Sequence, residues 1–409
     1  MVDKIENKSK ILTYLLAAFF AATPIDYILP HFGSATVLTV IGLFVAAFAA
    51  FIAFSSESAR MTSEQVCILL LFLLMIASNI WAGDKTRAYT YTFSFVATAS
   101  MYFLLFFFKF TKEEINLFEI ATIIGGTIFV IYIFTDVDMA LVRAGYRLNL
   151  ESVGEEDYFA DPNGLAARLM MPLVFTIKHF LGKGETQFKI LYGVLLGAMI
   201  YVIFLTGSRA AVISLLAIGI IIFVALGKNR VGTAIIFVMV ALLVVLLIPD
   251  LLPDHIFNRI FNIEKYQEVV TSEGDRIDVW TKTIFEVFPK SPIWGQGAGN
   301  ASIALAEYYG GVKSVHSAWF TMLGDLGLIG FALWVSIPFG KIRQARALSK
   351  VNICVLAVLI GVLLMASTLD SVNEKYLWNV FLYVHLVSTM YTPKEENKFN
   401  MKLSFKKTQ

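Results

Sequence analysis

Three basic residues stand where long apolar runs give way to polar sequence, and each has a type suited to chemistry on an anionic or hydroxylated substrate. They are Arg209, Arg276 and His316. Arg209 follows Gly207 and Ser208; glycine permits a break in the chain, and serine caps helix N-termini. Backbone N–H groups at such a terminus, together with a guanidinium, form a phosphate-binding site. The competing interpretation is an arginine that anchors its helix at the membrane boundary.

Arg276 and His316 belong to the same polar part of the chain. Arg276 closes the sequence Ser272-Glu273-Gly274-Asp275-Arg276, at the start of a helix-like stretch. It is either a second phosphate-binding guanidinium or one partner of a solvated Asp–Arg pair. His316 precedes a long apolar run, where an imidazole that is neutral near pH 7 can serve as the general base for a hydroxyl group. The alternative is a boundary histidine whose polar contacts are satisfied.

The apolar run after His316 is unusually polar for a helix that faces lipid. It contains Ser317 and Asp325, with Gly324 and Gly327 beside the aspartate. Ionisable groups inside membrane spans usually face the interior of the bundle or a cavity. Asp325 lies about two and a half helical turns from His316, so we expect no direct contact between them.

A polar segment earlier in the chain supplies further candidates. Arg147 is a third basic group for the site, and Asp161 before Pro162 predicts an N-cap with proline at the first helical position. Asn163 follows at the opening of the next span. Arg168 lies about one turn inside that span and needs a partner, for which we expect Asp161 or a substrate anion.

The elements that must position these residues are membrane spans. The chain has 409 residues, of which 57% are hydrophobic and 16% charged, whereas soluble domains are about a quarter charged. A span needs about 20 mostly apolar residues, and run length predicts an all-α polytopic protein with about twelve spans. The predicted spans are Ile11–Leu29, Ala35–Phe54, Val66–Trp81, Tyr89–Phe108, Ile115–Phe134, Gly164–Leu181, Ile190–Leu205, Ala210–Leu226, Val231–Ile248, Ser317–Phe339, Val351–Thr368 and Tyr376–Tyr391.

The distribution of lysine and arginine predicts the orientation. With the N-terminus in the cytoplasm, the short cytoplasmic loops and the tail hold most of the 33 lysines and arginines, as the positive-inside rule requires. Both termini are then cytoplasmic, and two long loops, 135–163 and 249–314, are extracytoplasmic. Loops of this length are usually functional. The larger loop contains a helix-like stretch, 275–287. Its apolar side comprises Ile277, Trp280, Ile284 and Val287.

The sequence offers no sign of a resident cofactor. We find no metal-ligand spacing and no glycine-rich nucleotide loop, and we therefore expect a donor that is not a nucleotide sugar. Cys67 and Cys354 lie inside apolar runs, where cysteine behaves as a small hydrophobic residue. They indicate neither a disulfide framework nor a metal site.

Several segments resemble, in order, the conserved motifs of the O-antigen ligase/polymerase superfamily. These segments are 205–211, 276–280, 291–297, 315–319 and 327–330. The family's upstream pattern, an arginine followed by Pro-Asn at the opening of a span, is similar to Arg147 and Pro162-Asn163. The resemblance extends from about Arg143 to Leu333. One departure is Ser317, because many relatives have asparagine after the histidine.

The resemblance implies metal-independent glycosyl transfer from a polyprenyl-diphosphate donor, with no cofactor. Arg209 and Arg276, with Arg147, would stabilise the negative charge of the leaving diphosphate. His316 would accept the proton of the attacking hydroxyl group. The supporting residues would be Ser208, Asn163, Ser317 and Asp325.

The resemblance also implies a GT-C-like architecture in the bacterial inner membrane. N-terminal spans would occupy residues 1–142, and a catalytic region, 143–340, would contain the large loop 249–314. Residues 341–409 would form the last spans and a basic cytoplasmic tail. The expected partners are a polyprenyl-diphosphate-linked oligosaccharide donor, a glycan or lipid acceptor, the bilayer, a polysaccharide flippase and a chain-length regulator, but no nucleic acid.

Four interpretations of the function compete. A polymerase would pass the growing glycan to another lipid-linked unit, and we favour it because the loops lack a broad cationic surface for a phosphorylated lipid A–core acceptor. A ligase would pass the glycan to lipid A–core or to another acceptor. A polysaccharide-lipid or small-solute transporter would instead place charges near span midpoints and use broken helix pairs, and a membrane scaffold would tolerate changes at Arg209 and His316.

Overall fold

The computed structural model describes residues 10–32, 35–54, 61–137, 139, 142, 148, 150–151, 159–182, 185–225, 253–261 and 275–391. The helices are α1 (Lys10–Ala22), α2 (Val37–Phe54), α3 (Ser63–Ser78), α4 (Lys85–Leu105), α5 (Lys112–Asp136), α6 (Pro162–Leu181), α7 (Thr186–Leu205), α8 (Arg209–Ala225), α9 (Asp254–Phe261), α10 (Arg276–Lys282), α11 (Ala301–Ala304), α12 (Ala306–Tyr309), α13 (Ala318–Leu348), α14 (Ile353–Ala366) and α15 (Lys375–Met390). Two antiparallel ladders pair β1 (His31–Phe32) with β2 (Ala35–Thr36) and β3 (Leu150–Glu151) with β4 (Phe159–Ala160).

The prediction of an all-α membrane protein is confirmed, while the number of spans stays a prediction. Eleven of the twelve predicted spans coincide with helices, and the remaining one, 231–248, lies outside the described residues. Five helices are long and apolar enough to cross a membrane, namely α2, α5, α6, α7 and α13. Four shorter helices, α1, α3, α8 and α14, are apolar as well.

Peripheral helices expose large apolar side chains, as lipid-facing helices do. On α2 the exposed side chains include Leu43, Phe44, Phe51 and Phe54, and on α8 they include Ile213, Leu216, Ile220 and Val224. In water, apolar patches of this extent would drive association. By contrast, α6 is buried from Asn163 to Ile177 and packs against α5, α7 and α14, so it is the central helix of the bundle.

Helix ends differ from the predicted boundaries where local hydrogen bonds decide them. The third helix begins at Ser63 rather than Val66, because Thr62 and Gln65 form a reciprocal capping box. The tenth predicted span continues to Leu348, since Lys341 is buried inside it and forms a salt bridge with Glu64. A buried ammonium group is tolerated when it is paired in this way.

The helix α13 is broken inside the bundle, and the break holds the returning part of the large loop. Gly327 has φ +62°, so the backbone groups around it are available to a second segment. The amides of Gln296 and Gly297 donate to the carbonyls of Gly324 and Asp325 (2.9 and 2.8 Å), and Leu328 donates to Pro292 (2.9 Å). Segment 291–297 is therefore fixed against the break.

We expect that Gly295→Ala destabilises this joint, whereas Gly310→Ala does not. Both glycines have positive φ (+71° and +68°), but a Cβ at Gly295 would lie 2.3 Å from the backbone of Asp325, while a Cβ at Gly310 meets nothing within 4 Å. The shared backbone strain costs about 1–3 kcal/mol, and the clash adds about 1–3 kcal/mol at Gly295 alone. Thermal unfolding of both variants in detergent measures the difference, and equal unfolding temperatures would contradict it.

Two contact predictions from the sequence are wrong. Arg168 pairs with Glu374 (2.8 Å) and Asp26 (3.9 Å), not with Asp161, because α15 brings its N-terminal end against the central helix. In the stretch 275–287 the fully buried apolar side chains are Val279 and Val287, and Ile277 is 61% exposed. Val279, rather than Ile277, therefore faces the small core that this stretch forms with Val287, Ala301, Leu305 and Val315.

Candidate functional site

Arg209 opens α8 directly after a tight turn at the end of α7. Gly207 has φ +58°, which glycine adopts without strain. The hydroxyl of the buried Ser208 accepts a hydrogen bond from the amide of Ala211 (3.2 Å), so the predicted cap is confirmed. The amide of Ser208 in turn donates to the hydroxyl of Thr206 (3.3 Å). The sequence Thr-Gly-Ser-Arg thus fixes the position from which Arg209 projects.

The turn is joined to the large loop by a reciprocal pair of arginine hydrogen bonds. Nε of Arg209 donates to the carbonyl of Arg259 (2.8 Å), and Nε of Arg259 donates to the carbonyl of Gly207 (3.2 Å). Helix α9, which carries Arg259, is held against the core by the fully buried Ile256. Both arginine side chains are therefore held at the turn between α7 and α8.

Arg276 is placed by the short helix α10, which is fixed to the segment before His316. One turn after Arg276, the indole nitrogen of Trp280 donates to the carbonyl of Val315 (2.9 Å). The Trp280 ring also lies 5.5 Å from that of Phe320 on α13. Residues four apart share a helix face, so Arg276 lies on the side of α10 that faces His316.

His316 lies between these elements with an unusual backbone conformation. Among the described residues, His316 is the one non-glycine residue with a positive φ (+54°). Backbone strain of this kind is common at functional sites. Burial lowers the pKa of the imidazole below its ordinary value of 6.5, and the charges of Arg276 and Lys313 lower it further, while Asp161 opposes them. The side chain is therefore neutral near pH 7 and able to accept a proton.

Asp161 has two roles, of which the sequence predicted one. Its carboxylate accepts hydrogen bonds from the amide and the side-chain nitrogen of Asn163 (2.9 and 2.8 Å), which confirms the N-cap of α6. Its negative charge also raises the pKa of both His316 and Arg276. The charge at the start of the central helix α6 therefore acts on Arg276 and His316.

Asp325 does not contact His316 and instead organises the loop that contains Gly295, Gly297 and Gly299, which we call the glycine-rich loop. Its two carboxylate oxygens accept from the amides of Gly299 and Ala301 (both 2.8 Å). Nε of Arg87 on α4 donates to the carbonyl of the same Gly299 (2.8 Å). This arrangement agrees with the expectation that Asp325 does not contact His316. Asp325 stabilises the loop that packs against α13 and has no contact with the candidate site residues.

Hydrogen bonds join Arg209 to Arg259, while the charge of Arg276 acts on His316 and the charge of Asp161 acts on both. The sequence did not single out Arg259 or the charge of Asp161. Ser317 caps no amide of α13, and its buried hydroxyl has no hydrogen-bond partner within the described ranges. Arg147, the third predicted phosphate ligand, lies outside those ranges. The sequence signal that would have placed Arg259 is the amphipathic pattern of α9, in which Ile256, Phe257 and Ile260 share one face and Arg259 lies on the polar side with His255 and Asn258.

Two further observations concern metals. Among the residues that the structure describes, no group of three His, Cys, Asp or Glu side chains is arranged to hold a metal ion. The expectation that the sequence has no metal-ligand spacing is wrong at one place, because the Asp-x-Asp pattern that metal-dependent sugar transferases use occurs at Asp136 and Asp138. Asp138 lies outside the described residues.

One comparison with known families concerns the chain from the middle of α7 to the broken helix α13. Residues 194–335 match the O-antigen ligase family. The matched segment is about a third of the chain and contains Arg209, Arg259, Arg276 and His316. The predicted resemblance to the O-antigen ligase/polymerase superfamily is therefore confirmed over the O-antigen ligase segment. Among curated proteins, none matches this chain.

We expect opposite pKa shifts of His316 when its two charged neighbours are neutralised one at a time. Asp161→Asn keeps the helix cap but removes the negative charge, so the pKa of His316 falls further. Lys313→Gln removes a positive charge, so the pKa rises towards 6.5. Histidine NMR titration in lipid nanodiscs measures both, with His316→Gln to assign the signal among the five histidines. Shifts of the same sign in the two variants would show that this electrostatic arrangement is wrong.

Proposed function

We propose that this protein is a membrane glycosyltransferase that moves a glycan from a polyprenyl-diphosphate carrier to a hydroxyl group of an acceptor. The observation that carries the proposal is the O-antigen ligase segment itself, 194–335, which contains His316 and the half-buried arginines Arg209 and Arg276. A neutral base suits deprotonation of a hydroxyl. Guanidinium groups suit a phosphate leaving group.

The proposed reaction is a single displacement at the anomeric carbon of the donor. The acceptor oxygen forms a bond to that carbon as His316 takes the hydroxyl proton. The bond between the anomeric carbon and the diphosphate oxygen breaks at the same time, and the electron pair leaves with polyprenyl diphosphate. Arg209 and Arg276, with Arg147 as a further ligand, stabilise the charge that develops on the diphosphate. No nucleotide enters this step, because the phosphate-linked sugar is already activated, and we propose that none of it depends on a metal.

The preferred acceptor is a second lipid-linked oligosaccharide, which makes the protein a polymerase of surface polysaccharide. This preference rests on the expectation that the loops lack a broad cationic surface for a heavily phosphorylated lipid A–core. A ligase is the second candidate, because the matching family is described as O-antigen ligase. In either case the protein acts on the outer face of the bacterial inner membrane, with both termini in the cytoplasm, beside a polysaccharide flippase and a chain-length regulator.

The deciding experiment uses purified protein in lipid with polyprenyl-diphosphate oligosaccharide extracted from the source bacterium, without added nucleotide and with a chelator present. Longer lipid-linked chains, seen by gel or mass spectrometry, are expected of a polymerase. Transfer only after lipid A–core is added would identify a ligase. Loss of activity in chelator that added Mg²⁺ or Mn²⁺ restores would contradict metal independence. If no transfer occurs under any of these conditions and the substrate moves across the membrane, the transporter interpretation is correct instead.

A further inference from the structure

The helical segment 276–290 of the large loop has three faces of different character. Residues four apart share a helix face. The buried face comprises Val279, Thr283 and Val287, the polar face Asp278, Lys282, Glu286 and Lys290, and the third face Ile277, Thr281, Phe285 and Pro289. Every residue of the third face is exposed, and we call it the outer face.

The polar face of this segment is occupied by the neighbouring helix α12. The carboxylate of Asp278 accepts a hydrogen bond from the hydroxyl of Tyr309 (2.8 Å). The ammonium groups of Lys282 and Lys290 each lie 5.2 Å from the ring of Tyr308. These contacts place the charged side of the segment next to α12, so its charges are separated from the outer face.

The outer face is apolar and its polar groups are already engaged. Ile277 is 61% exposed and Phe285 69% exposed. The hydroxyl of Thr281 donates to the carbonyl of Ile277 (2.7 Å), and Pro289 has no backbone N–H to satisfy. An exposed apolar surface of this kind, bordered by charged residues, is typical of a site that contacts a membrane or another protein.

The chain after the outer face joins the lipid-facing surface of the apolar helices, which favours the membrane. Ile293 and Trp294 are exposed, and the ring of Trp294 lies 6.1 Å from that of Trp81. Trp81 follows the exposed apolar side of α3, which comprises Val66, Leu70, Leu73, Ile76 and Ile80. Tryptophan is enriched where a membrane meets water. The two rings therefore mark the level of that boundary.

A second connection leads to the same surface through the break in α13. The amide of Leu328 donates to the carbonyl of Pro292 (2.9 Å), and the exposed side of α13 begins at Leu328. Before the break, α13 is covered by the returning segment 291–297. The exposed apolar surface thus continues from α3 and α13 onto the large loop.

We propose that segment 276–294 is an interfacial anchor whose outer face inserts into the membrane leaflet beside the large loop. Amphipathic segments of this kind bury their apolar side about 5–10 Å into the boundary between headgroups and acyl chains. Arg276 is the first residue of the anchor, so the anchor holds this guanidinium at the depth of the lipid phosphates. The inference concerns the bilayer and does not depend on glycosyl transfer.

The experiment measures which medium surrounds each face, with nitroxide spin labels on the full-length protein in lipid nanodiscs. The native thiols are first removed by Cys67→Ala and Cys354→Ala. Single labels are then attached through Ile277→Cys and Phe285→Cys on the outer face. Glu286→Cys is the matched control, because Glu286 is exposed, adjacent to Phe285 and on the polar face. Ile220→Cys on α8 provides the lipid-facing reference.

Collisions of each label with oxygen, which concentrates in acyl chains, are compared with collisions with a water-soluble nickel chelate. We expect oxygen to dominate at Ile277→Cys and Phe285→Cys, as at Ile220→Cys, and the nickel chelate to dominate at Glu286→Cys. Each labelled protein should elute from gel filtration at the size of wild type.

Two results at the outer face would overturn the inference. Dominance of the nickel chelate at both positions would show that the outer face lies in water. Labels that neither reagent reaches would show that protein, such as a second copy of this chain, covers the face instead. Since the measurement needs no substrate, its outcome is independent of whether the protein transfers glycans.

Discussion

His316→Gln is expected to lower the rate of glycan transfer by about a hundred- to ten-thousandfold, the usual contribution of a general base. Glutamine retains a polar side chain but accepts no proton at neutral pH. The burial and the positive neighbours that lower the pKa of His316 keep it in the form that accepts one. Initial rates of product formation from extracted lipid-linked oligosaccharide measure the loss.

The pH dependence of the wild type gives a second test of the same role. Because protonated imidazole cannot act as a base, the rate should fall as the pH drops through the lowered pKa of His316. The midpoint should lie below the ordinary value of 6.5. His385→Gln is the matched control, since His385 is a buried histidine that stacks on Phe106 (ring centroids 4.4 Å). A rate near that of wild type in His316→Gln, with protein of normal size on gel filtration, would remove the histidine from the mechanism.

Arg209→Ala is expected to lower the rate constant of transfer by about a hundred- to a thousandfold, which is typical when one donor to a developing negative charge is removed. Arg209→Lys should recover part of the rate, because lysine keeps the charge but not the planar fork. Donor affinity should fall in both variants. Rate and apparent affinity for the donor are measured with the same lipid-linked oligosaccharide.

The control for Arg209 must separate chemistry from anchoring. Arg343 near the far end of α13 is exposed, and Arg343→Ala should leave the rate unchanged. If Arg209 only anchors α8 at the membrane boundary, Arg209→Ala would unfold at a lower temperature while the surviving protein transferred glycan at the normal rate. Activity per folded molecule therefore distinguishes the two interpretations.

Local chemistry was enough to predict the elements that carry the site. Apolar run length located eleven helices, because spanning segments must satisfy their own backbone groups. Gly207, Ser208 and the Asp161-Pro162 pair were assigned correctly, since caps and breaks depend only on neighbours within a turn. Boundaries were less accurate: the third helix begins at Ser63 rather than Val66, because a capping box and not hydropathy sets its start, and α13 ends at Leu348 rather than Phe339.

Long-range contacts between polar groups were beyond sequence reasoning. The partner of Arg168 is Glu374, 206 residues away, and nothing in the local pattern of either residue indicates it. Arg259 looked like one of several basic residues in a long loop. Its proximity to Arg209 depends on α9 docking against the core through Ile256, Phe257 and Ile260, which is a property of the packed bundle.

The sequence by itself determined that this is a helical membrane protein with a segment that resembles the O-antigen ligase family, and it singled out Arg209, Arg276 and His316. Those properties depend on residue type and short spacing, which a linear chain already contains. Only the tertiary structure decided that Asp161 and Arg259 join Arg276 and His316, and that Asp325 serves the glycine-rich loop. Charges act over distances in space, and helices that are far apart in the chain meet only once their apolar faces are buried together.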